Sequence, residues 1–222
     1  MKKIFTLIAV AAMALSANAQ SVITFGEKDA PVSMAESFKN GDLTIAITDT
    51  DGKFAIDANS QYFGDAENYV NYGARLKTGG KSSSKNFITA TVAKDGKLTI
   101  AVRSASGSAT DRNLVATQSG TELYNKVVKD EDAVKATIDE EEKNVFPLIT
   151  IDVKAGDIEL TYPAGSLNFY AFSFVAEGEV DAINNVKVAE NANAPMYNLA
   201  GQQVGKNYKG VVIQNGVKRI QK

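Results

Sequence analysis

The chain has 222 residues, of which 44% are hydrophobic and 23% are charged, and its formal net charge is −2. These values are typical of a globular domain, and the weakly acidic balance argues against nucleic-acid binding because no basic surface is available to neutralise phosphates. The sequence contains no Cys, His or Trp. Nucleophile–histidine catalysis is thereby excluded, and zinc loses its preferred ligands. No cofactor is predicted; a structural calcium ion bound by carboxylates is the alternative that the composition allows.

Residues 1–19 are predicted to be a cleaved secretory signal peptide. They begin with Lys2-Lys3, continue with the apolar run Ile4–Leu15, and end in Ala17-Asn18-Ala19. This run is too short to span a bilayer, and no later segment approaches ~20 apolar residues, so no transmembrane span is expected. We expect a secreted protein that resides in the periplasm, at the cell surface or outside the cell.

Residues 20–180 are predicted to form one all-β domain, an antiparallel β-sandwich of jelly-roll type. Ten short apolar or alternating segments are separated by turns, as in such sandwiches. These segments are Leu43–Ile47, Phe54–Ile56, Ile88–Val92, Leu98–Val102, Leu114–Thr117, Thr121–Val128, Val134–Ile138, Phe146–Val153, Ile158–Tyr162 and Leu167–Val175. The turn Lys94-Asp95-Gly96-Lys97 is predicted to join two of them as a hairpin, because Asp-Gly readily adopts positive φ.

Two stretches of this domain are interpreted individually. Leu167–Val175 carries large residues on both faces, which predicts a central strand with one face in the core and the other under a loop or ligand. Residues 130–136 are compatible with a helical turn as well as a strand, and the charged run Asp139–Lys143 is predicted to be a solvated loop.

Two polar motifs resemble ligand loops but favour simple turns. Gly79-Gly80-Lys81-Ser82 suggests a phosphate-binding loop, yet Arg75 stands where the motif needs glycine, and a strand follows where it needs a helix. Asp49-Thr50-Asp51-Gly52 begins like a calcium loop but lacks the later acidic ligands. We therefore expect the Asp side chains of the second motif to cap their own turn.

The candidate binding residues are Tyr62, Tyr69, Tyr72, Arg75 and Arg112. The first four lie within residues 61–75, predicted to be one long loop that offers flat aromatic faces together with amide and guanidinium hydrogen-bond donors, as a sugar site requires. Arg112 lies in a polar turn predicted to reach the same end of the sandwich. Two alternatives remain open: the tyrosines cover the edge of the sandwich, or Arg112 pairs with Asp111 to fix its own turn.

Three segments resemble a recurring module of secreted Bacteroidetes proteins. They are Ala74–Ser84, Ser108–Leu114 and Leu167–Phe172, and the resemblance extends over roughly residues 25–176. That module is similar to a carbohydrate-binding jelly roll and is often attached to polysaccharide lyases such as pectate lyases. The resemblance implies a glycan or surface polysaccharide as the partner of this chain.

The C-terminal residues 196–222, after a predicted linker at 181–195, resemble the sorting signal of the type IX secretion pathway. The resemblance rests on a pattern of strand and turn residues, namely Tyr197, Leu199, Gly201, Val204, Lys209, Gly210, Asn215, Gly216 and Lys218. It implies contact with secretion machinery. The residues themselves predict a short strand, a loop and a β-hairpin turned at Asn215-Gly216.

The sequence as a whole predicts an exported, non-catalytic module that binds carbohydrate at one end of a β-sandwich. The alternative is a structural or adhesive surface protein that binds another protein. A lyase dependent on calcium or carboxylates is a third hypothesis, for which the scattered Glu67, Asp111 and Asp157 are the available acids.

Overall fold

A computed structural model describes residues 20–178, 196–198, 203–205, 209–214 and 217–221. The chain divides into two compact units, Met1–Glu179 and Val180–Lys222. The predicted signal peptide and linker lie outside the described residues. No helix among the described residues is long and apolar enough to cross a membrane.

The first unit consists almost entirely of β-strands, with one turn of 3-10 helix at Asp130–Asp132. Its strands are β1 (Ser21–Thr24), β2 (Gly26–Glu27), β3 (Ala30–Pro31), β4 (Ser37–Asn40), β5 (Leu43–Asp49), β6 (Ala55–Gly64), β7 (Tyr69–Lys77), β8 (Asn86–Val92), β9 (Gly96–Ser104), β10 (Asn113–Gln118), β11 (Thr121–Val127), β12 (Val134–Ile138), β13 (Glu141–Phe146), β14 (Ile149–Val153), β15 (Gly156–Thr161) and β16 (Leu167–Ala176).

These strands form two main sheets. The large sheet has the order β12-β13-β6-β7-β16-β9-β14, with β1 also paired to β16, and the small sheet has the order β11-β10-β15-β8-β5-β4. Neighbouring strands are antiparallel except β13 and β6, which pair in parallel. The short β2 and β3 pair with each other. The predicted fold class, an all-β antiparallel sandwich followed by a hairpin tail, is confirmed.

The core lies between the two sheets because each strand turns alternate apolar side chains inward. Leu43 and Ile45 from the small sheet and Leu98, Ile100 and Phe172 from the large sheet belong to one buried cluster. Each of these side chains is 0% exposed. The strand β16 is central in the large sheet, between β7 and β9, as its apolar residues on both faces predict.

The predicted hairpin across Asp95-Gly96 is wrong, because its two strands belong to different sheets. Strand β8 pairs with β5 and β15, whereas β9 pairs with β16 and β14. Gly96 is not in the positive-φ region. A Cβ atom there would lie 2.2 Å from the carbonyl oxygen of Val175. The glycine therefore permits close packing where the chain crosses between the sheets, rather than a tight hairpin turn.

The loop predicted for residues 61–75 is also wrong, since β6 and β7 form a long antiparallel hairpin. Their pairing runs from Ala55 opposite Lys77 to Gly64 opposite Tyr69, with an irregularity after Ala58. Tyr, Phe and Val suit a pleated strand as well as they suit a binding loop. Only residues 65–68 turn the chain, and the Asp65 side chain accepts hydrogen bonds from two backbone N–H groups of that turn.

The run predicted as a solvated loop forms a second hairpin. Asp139 and Glu140 make its turn, with φ of 50° and 67°, and Glu141–Lys143 are already part of β13. The exposed charged side chains led the prediction toward a loop, although an edge strand accommodates such residues equally well. The helical turn considered at 130–136 is limited to Asp130–Asp132.

The large sheet curls strongly on its outer side. In the sheet order, β13 and β14 are separated by five inter-strand steps, about 24 Å in a flat sheet. Only Pro147 and Leu148 connect Phe146 to Ile149, and such a link spans at most about 11 Å. The sheet must therefore bend until its two flanks approach each other. The bend accompanies the divergence of β7 from β16, which pair through only two residue pairs.

The second unit contains a four-stranded sheet. Its strands are β17 (Met196–Asn198), β18 (Gln203–Val204), β19 (Gly210–Gln214) and β20 (Val217–Gln221), in the order β18-β17-β19-β20. Tyr197 pairs with Gln203 and Ile213, and Lys209 is exposed. Leu199, Gly201, Asn215 and Gly216 of the sorting-like pattern lie outside the described residues. The antiparallel pairing of β19 with β20 is that of a hairpin.

Candidate binding face

The outer face of the large sheet carries a second set of buried residues, separate from the core. In β9, Ile100 and Val102 point into the core, so the intervening Ala101 and the following Arg103 point outward. Ala101 belongs to an outer cluster with Phe63, Phe146, Tyr170 and Ala171. We call this the aromatic cluster. It fills the bend of the curled sheet.

Ring contacts within the aromatic cluster join strands from both flanks of the bend. The ring centroid of Phe63 on β6 lies 4.9 Å from that of Tyr170 on β16 and 5.8 Å from that of Phe146 on β13. The Arg103 guanidinium on β9 lies 4.6 Å from the Phe146 ring centroid, within the range of a cation–π interaction. The cluster therefore holds β6 and β13 against the centre of the sheet.

Two arginine–aspartate pairs lie on the same face. Arg75 donates from Nε to Asp57 Oδ1 at 2.8 Å and from Nη2 to Asp57 Oδ2 at 3.4 Å. Arg103 donates from Nε and Nη2 to the two carboxylate oxygens of Asp130, at 3.0 Å and 2.6 Å. Both pairs are bidentate, a geometry that fixes the plane of the guanidinium group.

Tyr170 connects the two pairs. Its ring is fully buried, and its hydroxyl donates a hydrogen bond of 2.6 Å to Asn59 Oδ1. The guanidinium groups of Arg75 and Arg103 both lie against this hydroxyl. We call the six residues the arginine–tyrosine network: Asp57, Asn59, Arg75, Arg103, Asp130 and Tyr170.

The electrostatics of the network follow from these contacts. Burial raises the pKa of Tyr170, and the two guanidinium groups oppose that shift, so the phenol stays protonated. Burial alone would raise the pKa of Asp57, but hydrogen bonds from Arg75 and Lys77 outweigh it, and the net pKa is lowered. The Asp57 and Asp130 hydrogen bonds raise the pKa of Arg75 and Arg103, respectively. Asp57 and both guanidinium groups are thus charged near neutral pH.

The three candidate tyrosines lie on opposite faces of the β6–β7 hairpin. Tyr72 is opposite Gln61, and Tyr69 is opposite Gly64, so strand alternation places Tyr72 on the other side from Tyr62 and Tyr69. Tyr72 packs against Phe63 at a centroid distance of 5.9 Å. Tyr72 therefore borders the aromatic cluster, and it lies on the opposite face of β7 from Arg75, which is three residues away. Burial raises the pKa of Tyr72.

Tyr62 and Tyr69 contact each other edge to face, with ring centroids 5.8 Å apart. They pack against a small cluster of Ala136, Ile138 and Val145 from the β12–β13 hairpin. These two rings thus cover the edge of the sandwich, in agreement with the alternative considered from the sequence, and the three tyrosines do not form one aromatic platform.

Arg112 lies away from Tyr62 and Tyr69. Its Nη1 donates to the Ser166 carbonyl at 3.2 Å, and a Cβ on Gly165 would lie 2.7 Å from that nitrogen. Ser166 directly precedes β16, whose Asn168 pairs with Lys77 at the far end of β7. Tyr69 begins β7, eight residues away, about 26 Å along the strand. Arg112 therefore secures the turn before β16 and does not join the tyrosines.

The arrangement offers both donors and acceptors to a polar ligand. A guanidinium group has five N–H donors; on each arginine the carboxylate occupies two and the Tyr170 hydroxyl contacts a third, so two remain. The Arg75 and Arg103 side chains are 24% and 26% exposed, so part of this donor set is accessible. The partly buried ring of Tyr72 packs against the aromatic cluster. The accessible guanidinium donors can hydrogen-bond the hydroxyls of a sugar.

The candidate calcium loop is a self-capped turn, as predicted. The two carboxylate oxygens of Asp49 accept hydrogen bonds from the backbone N–H groups of Lys53 and Phe54, at 2.7 Å and 3.0 Å. Asp51 faces Lys53 and Lys85. Within the described part of the chain, no three acidic side chains stand close enough together to hold a metal ion.

Sequence reasoning missed Asp57, Asn59, Arg103, Asp130 and Tyr170. They come from four separate segments, so no local motif contains them. A usable signal was nevertheless present for two of them. Arg103 and Tyr170 continue alternating strand patterns at positions that point away from the core, and a strand with large residues on both faces was expected to contact something on its second face.

No protein-family model matches the chain, and no curated protein matches it. Among solved structures, a protein from work on glycan recognition in the Ruminococcus flavefaciens cellulosome is 15% identical at a TM-score of 0.35, covering 71% of this chain and 93% of its own. The catalytic unit of a thermostable GH87 α-1,3-glucanase from Streptomyces thermodiastaticus is 16% identical at a TM-score of 0.32, and the match covers 57% of this chain and 26% of its own.

A further GH87 α-1,3-glucanase catalytic domain, in complex with tetrasaccharides, is 10% identical at a TM-score of 0.32, covering 62% of this chain and 28% of its own. The chain thus matches little more than a quarter of either glucanase. These structural neighbours are proteins of glycan recognition and glucan hydrolysis.

Proposed function

We propose that this protein is an exported, non-catalytic module that binds carbohydrate on the outer face of its large sheet. The observation that carries the proposal is the arginine–tyrosine network. Two guanidinium groups are held in fixed planes, retain unused donors and are partly exposed. Oriented donors of this kind can hydrogen-bond the hydroxyls of a sugar.

The proposed site differs from the one expected at the end of the sandwich. Arg75 is retained, Arg103 and Asp130 are added, and Tyr62, Tyr69, Tyr72 and Arg112 are assigned to packing. Rigid strands support the new site, since β7, β16 and β9 are neighbours in one sheet. Side chains on paired strands are positioned more accurately than side chains on a loop, which favours recognition of a specific ligand.

The proposal is tested by screening the full chain against a glycan array and titrating the hits by calorimetry. Arg75→Gln should weaken binding about tenfold, because it removes one of the two oriented guanidinium groups while Asp57 keeps its ion pair with Lys77. Lys97→Gln is the matched control: it removes a positive charge at an exposed position of the same sheet, paired with Asp152, and should change affinity less than twofold. Absence of binding at millimolar oligosaccharide, or equal losses in the two variants, would refute the proposal and favour a protein-binding role.

The proposal of export rests on residues 1–19 and on the sorting-like pattern of residues 196–222. We expect the mature protein to begin at Gln20, which N-terminal sequencing of the exported protein can verify. Deletion of residues 196–222 should leave cleavage of the signal intact and abolish release to the cell surface. Unchanged surface exposure of the truncated chain would remove the role proposed for the tail.

A further inference from the structure

Strand β12 is an open edge of the large sheet. Among the described strands it pairs with β13 alone, in a regular register. The other edges of the two main sheets are protected. Strand β11 pairs irregularly with β10, and Asn40 on β4 donates a hydrogen bond to the Val22 carbonyl on β1. Strand β14 faces β11 across a small cavity lined by Tyr124 and Ile149. On β12, by contrast, Val134 is 43% exposed, and an uncovered edge is a template for pairing with another strand.

The backbone groups of two β12 residues point toward this free edge. Ile138 and Glu141 are opposite each other across a two-residue turn in which both φ angles are positive, so these two residues exchange hydrogen bonds. Hydrogen-bonded and non-hydrogen-bonded pairs alternate along an antiparallel ladder. The N–H and C=O groups of Lys135 and Thr137 therefore point away from β13. Both residues are exposed, so these four backbone groups are accessible to a second strand.

We infer that β12 pairs antiparallel with β12 of a second copy of this chain, about a two-fold axis at Ala136. Lys135 then lies opposite the partner's Thr137, and the two residues exchange both of their free hydrogen bonds. The two-fold axis repeats this pair, so the two strands share four hydrogen bonds. On the other face of the strand Val134 lies opposite the partner's Ile138, which gives the exposed Val134 side chain an apolar neighbour. Both copies use the same edge, so pairing through it closes at the dimer.

Charge and backbone geometry favour this register over its alternatives. A centre at Lys135 would place two lysines directly opposite each other, which is destabilising. A centre at Thr137 would place Lys135 opposite Asp139, whose φ of 50° lies outside the extended region, and would lose two of the four hydrogen bonds. With the centre at Ala136, no like charges are opposite each other. Lys135 Nζ lies 3.1 Å from Glu142 Oε1 on β13, so the lysine charge is directed away from the free edge and does not block it.

Sedimentation equilibrium of the full chain measures the association. The weight-average mass should rise with concentration from that of one chain to that of two. Thr137→Pro should raise the dimer dissociation constant about tenfold or more, because it removes an outward N–H from each copy. The hydrogen bonds to β13 use Ala136 and Ile138 and remain, and proline is tolerated on an edge strand. Thr137→Val is the matched control: it keeps the N–H and the side-chain shape and should change the constant less than twofold. A single-chain mass at millimolar concentration, or a dimer equally stable in both variants, would overturn the inference.

Amide hydrogen exchange of the wild-type chain locates the interface. The N–H groups of Lys135 and Thr137 should exchange about tenfold or more slowly at concentrations where the dimer forms than where the chain is monomeric. The Ala136 N–H, which is already bonded to β13, is the internal control and should change less than either. Exchange rates of Lys135 and Thr137 that do not depend on concentration would show that another segment covers the edge or that it stays open, and either result overturns the inference. This measurement needs no variant, so the test holds even if Thr137→Pro does not fold.

Discussion

Two fully buried tyrosines differ in the bonding of their hydroxyl groups, which predicts opposite effects of the same substitution. The Tyr170 hydroxyl donates a 2.6 Å hydrogen bond to Asn59 and is approached by two guanidinium groups. The Tyr162 hydroxyl is equally buried but lacks a hydrogen-bond partner within the described residues. The Thr78 hydroxyl lies near it but donates to the Gly80 carbonyl instead. Burial raises the pKa of Tyr162, so its hydroxyl is neutral and desolvated.

Tyr170→Phe should lower the free energy of unfolding by about 1–2 kcal/mol. It removes one short hydrogen bond and leaves the Asn59 oxygen to find water, a loss at the usual scale for a bonded group. Tyr162→Phe should be neutral or stabilising by up to about 1 kcal/mol, because burying an unpaired hydroxyl is itself unfavourable. Both substitutions preserve the ring, so packing is matched between the variants.

The two variants are compared with the wild type by urea unfolding, followed by far-ultraviolet circular dichroism. Equal slopes of free energy against urea concentration would show that the substitutions leave the unfolded state and the overall compactness unchanged. The expected order of stability is Tyr162→Phe, then wild type, then Tyr170→Phe. A loss for Tyr162→Phe as large as for Tyr170→Phe would refute the assignment of a bonded and an unbonded hydroxyl.

Three further measurements follow from local geometry. Glu140→Gly should raise the free energy of unfolding by about 0.5–1 kcal/mol, since Glu140 occupies positive φ in a tight turn; an unchanged urea midpoint would contradict this. Gly96→Ala should lower the free energy of unfolding by about 2 kcal/mol or more, because the new Cβ would clash with the Val175 carbonyl oxygen. Gly80→Ala is the control and should leave stability unchanged, because the atom nearest to its Cβ would be 3.6 Å away. The pKa of Asp57 is lower in the folded state than in the unfolded state. Its contribution to stability is therefore present above the unfolded pKa, near 4, and is lost as pH falls through the folded pKa. When the free energy of unfolding is measured at decreasing pH, Asp57→Asn should lose less stability than the wild type.

Many of the strands could be predicted because the alternation of apolar and polar residues along a strand is visible in a short stretch of sequence. The segments Leu43–Ile47, Ile88–Val92 and Leu98–Val102 all lie within strands whose inward residues form the core. Alternation indicates which face of a strand is buried, but not which strand lies beside it. For that reason Asp95-Gly96 resembles a hairpin turn in the sequence, whereas the chain there crosses from the small sheet to the large one.

The candidate site was less predictable because its members are brought together only by sheet order. Tyr62 and Tyr72 are close in sequence yet lie on opposite faces of one hairpin. Arg75 and Arg103 are 28 residues apart in number but flank the same strand. Of the candidates in residues 61–75, only Arg75 belongs to the arginine–tyrosine network. The partners Asp130 and Tyr170 depend on long-range pairing, which the sequence pattern does not encode in any single window.

The arginine–tyrosine network is assembled from strands distant in the chain, so it exists only when the large sheet is complete. A ligand that needs both guanidinium groups binds the folded protein and has no site on the unfolded chain. Binding is then coupled to global unfolding, and a ligand at one hundred times its Kd adds about 2.7 kcal/mol to the free energy of unfolding. A rise in Tm thus becomes a direct measure of occupancy, which allows unlabelled glycans of undetermined structure to be ranked by affinity.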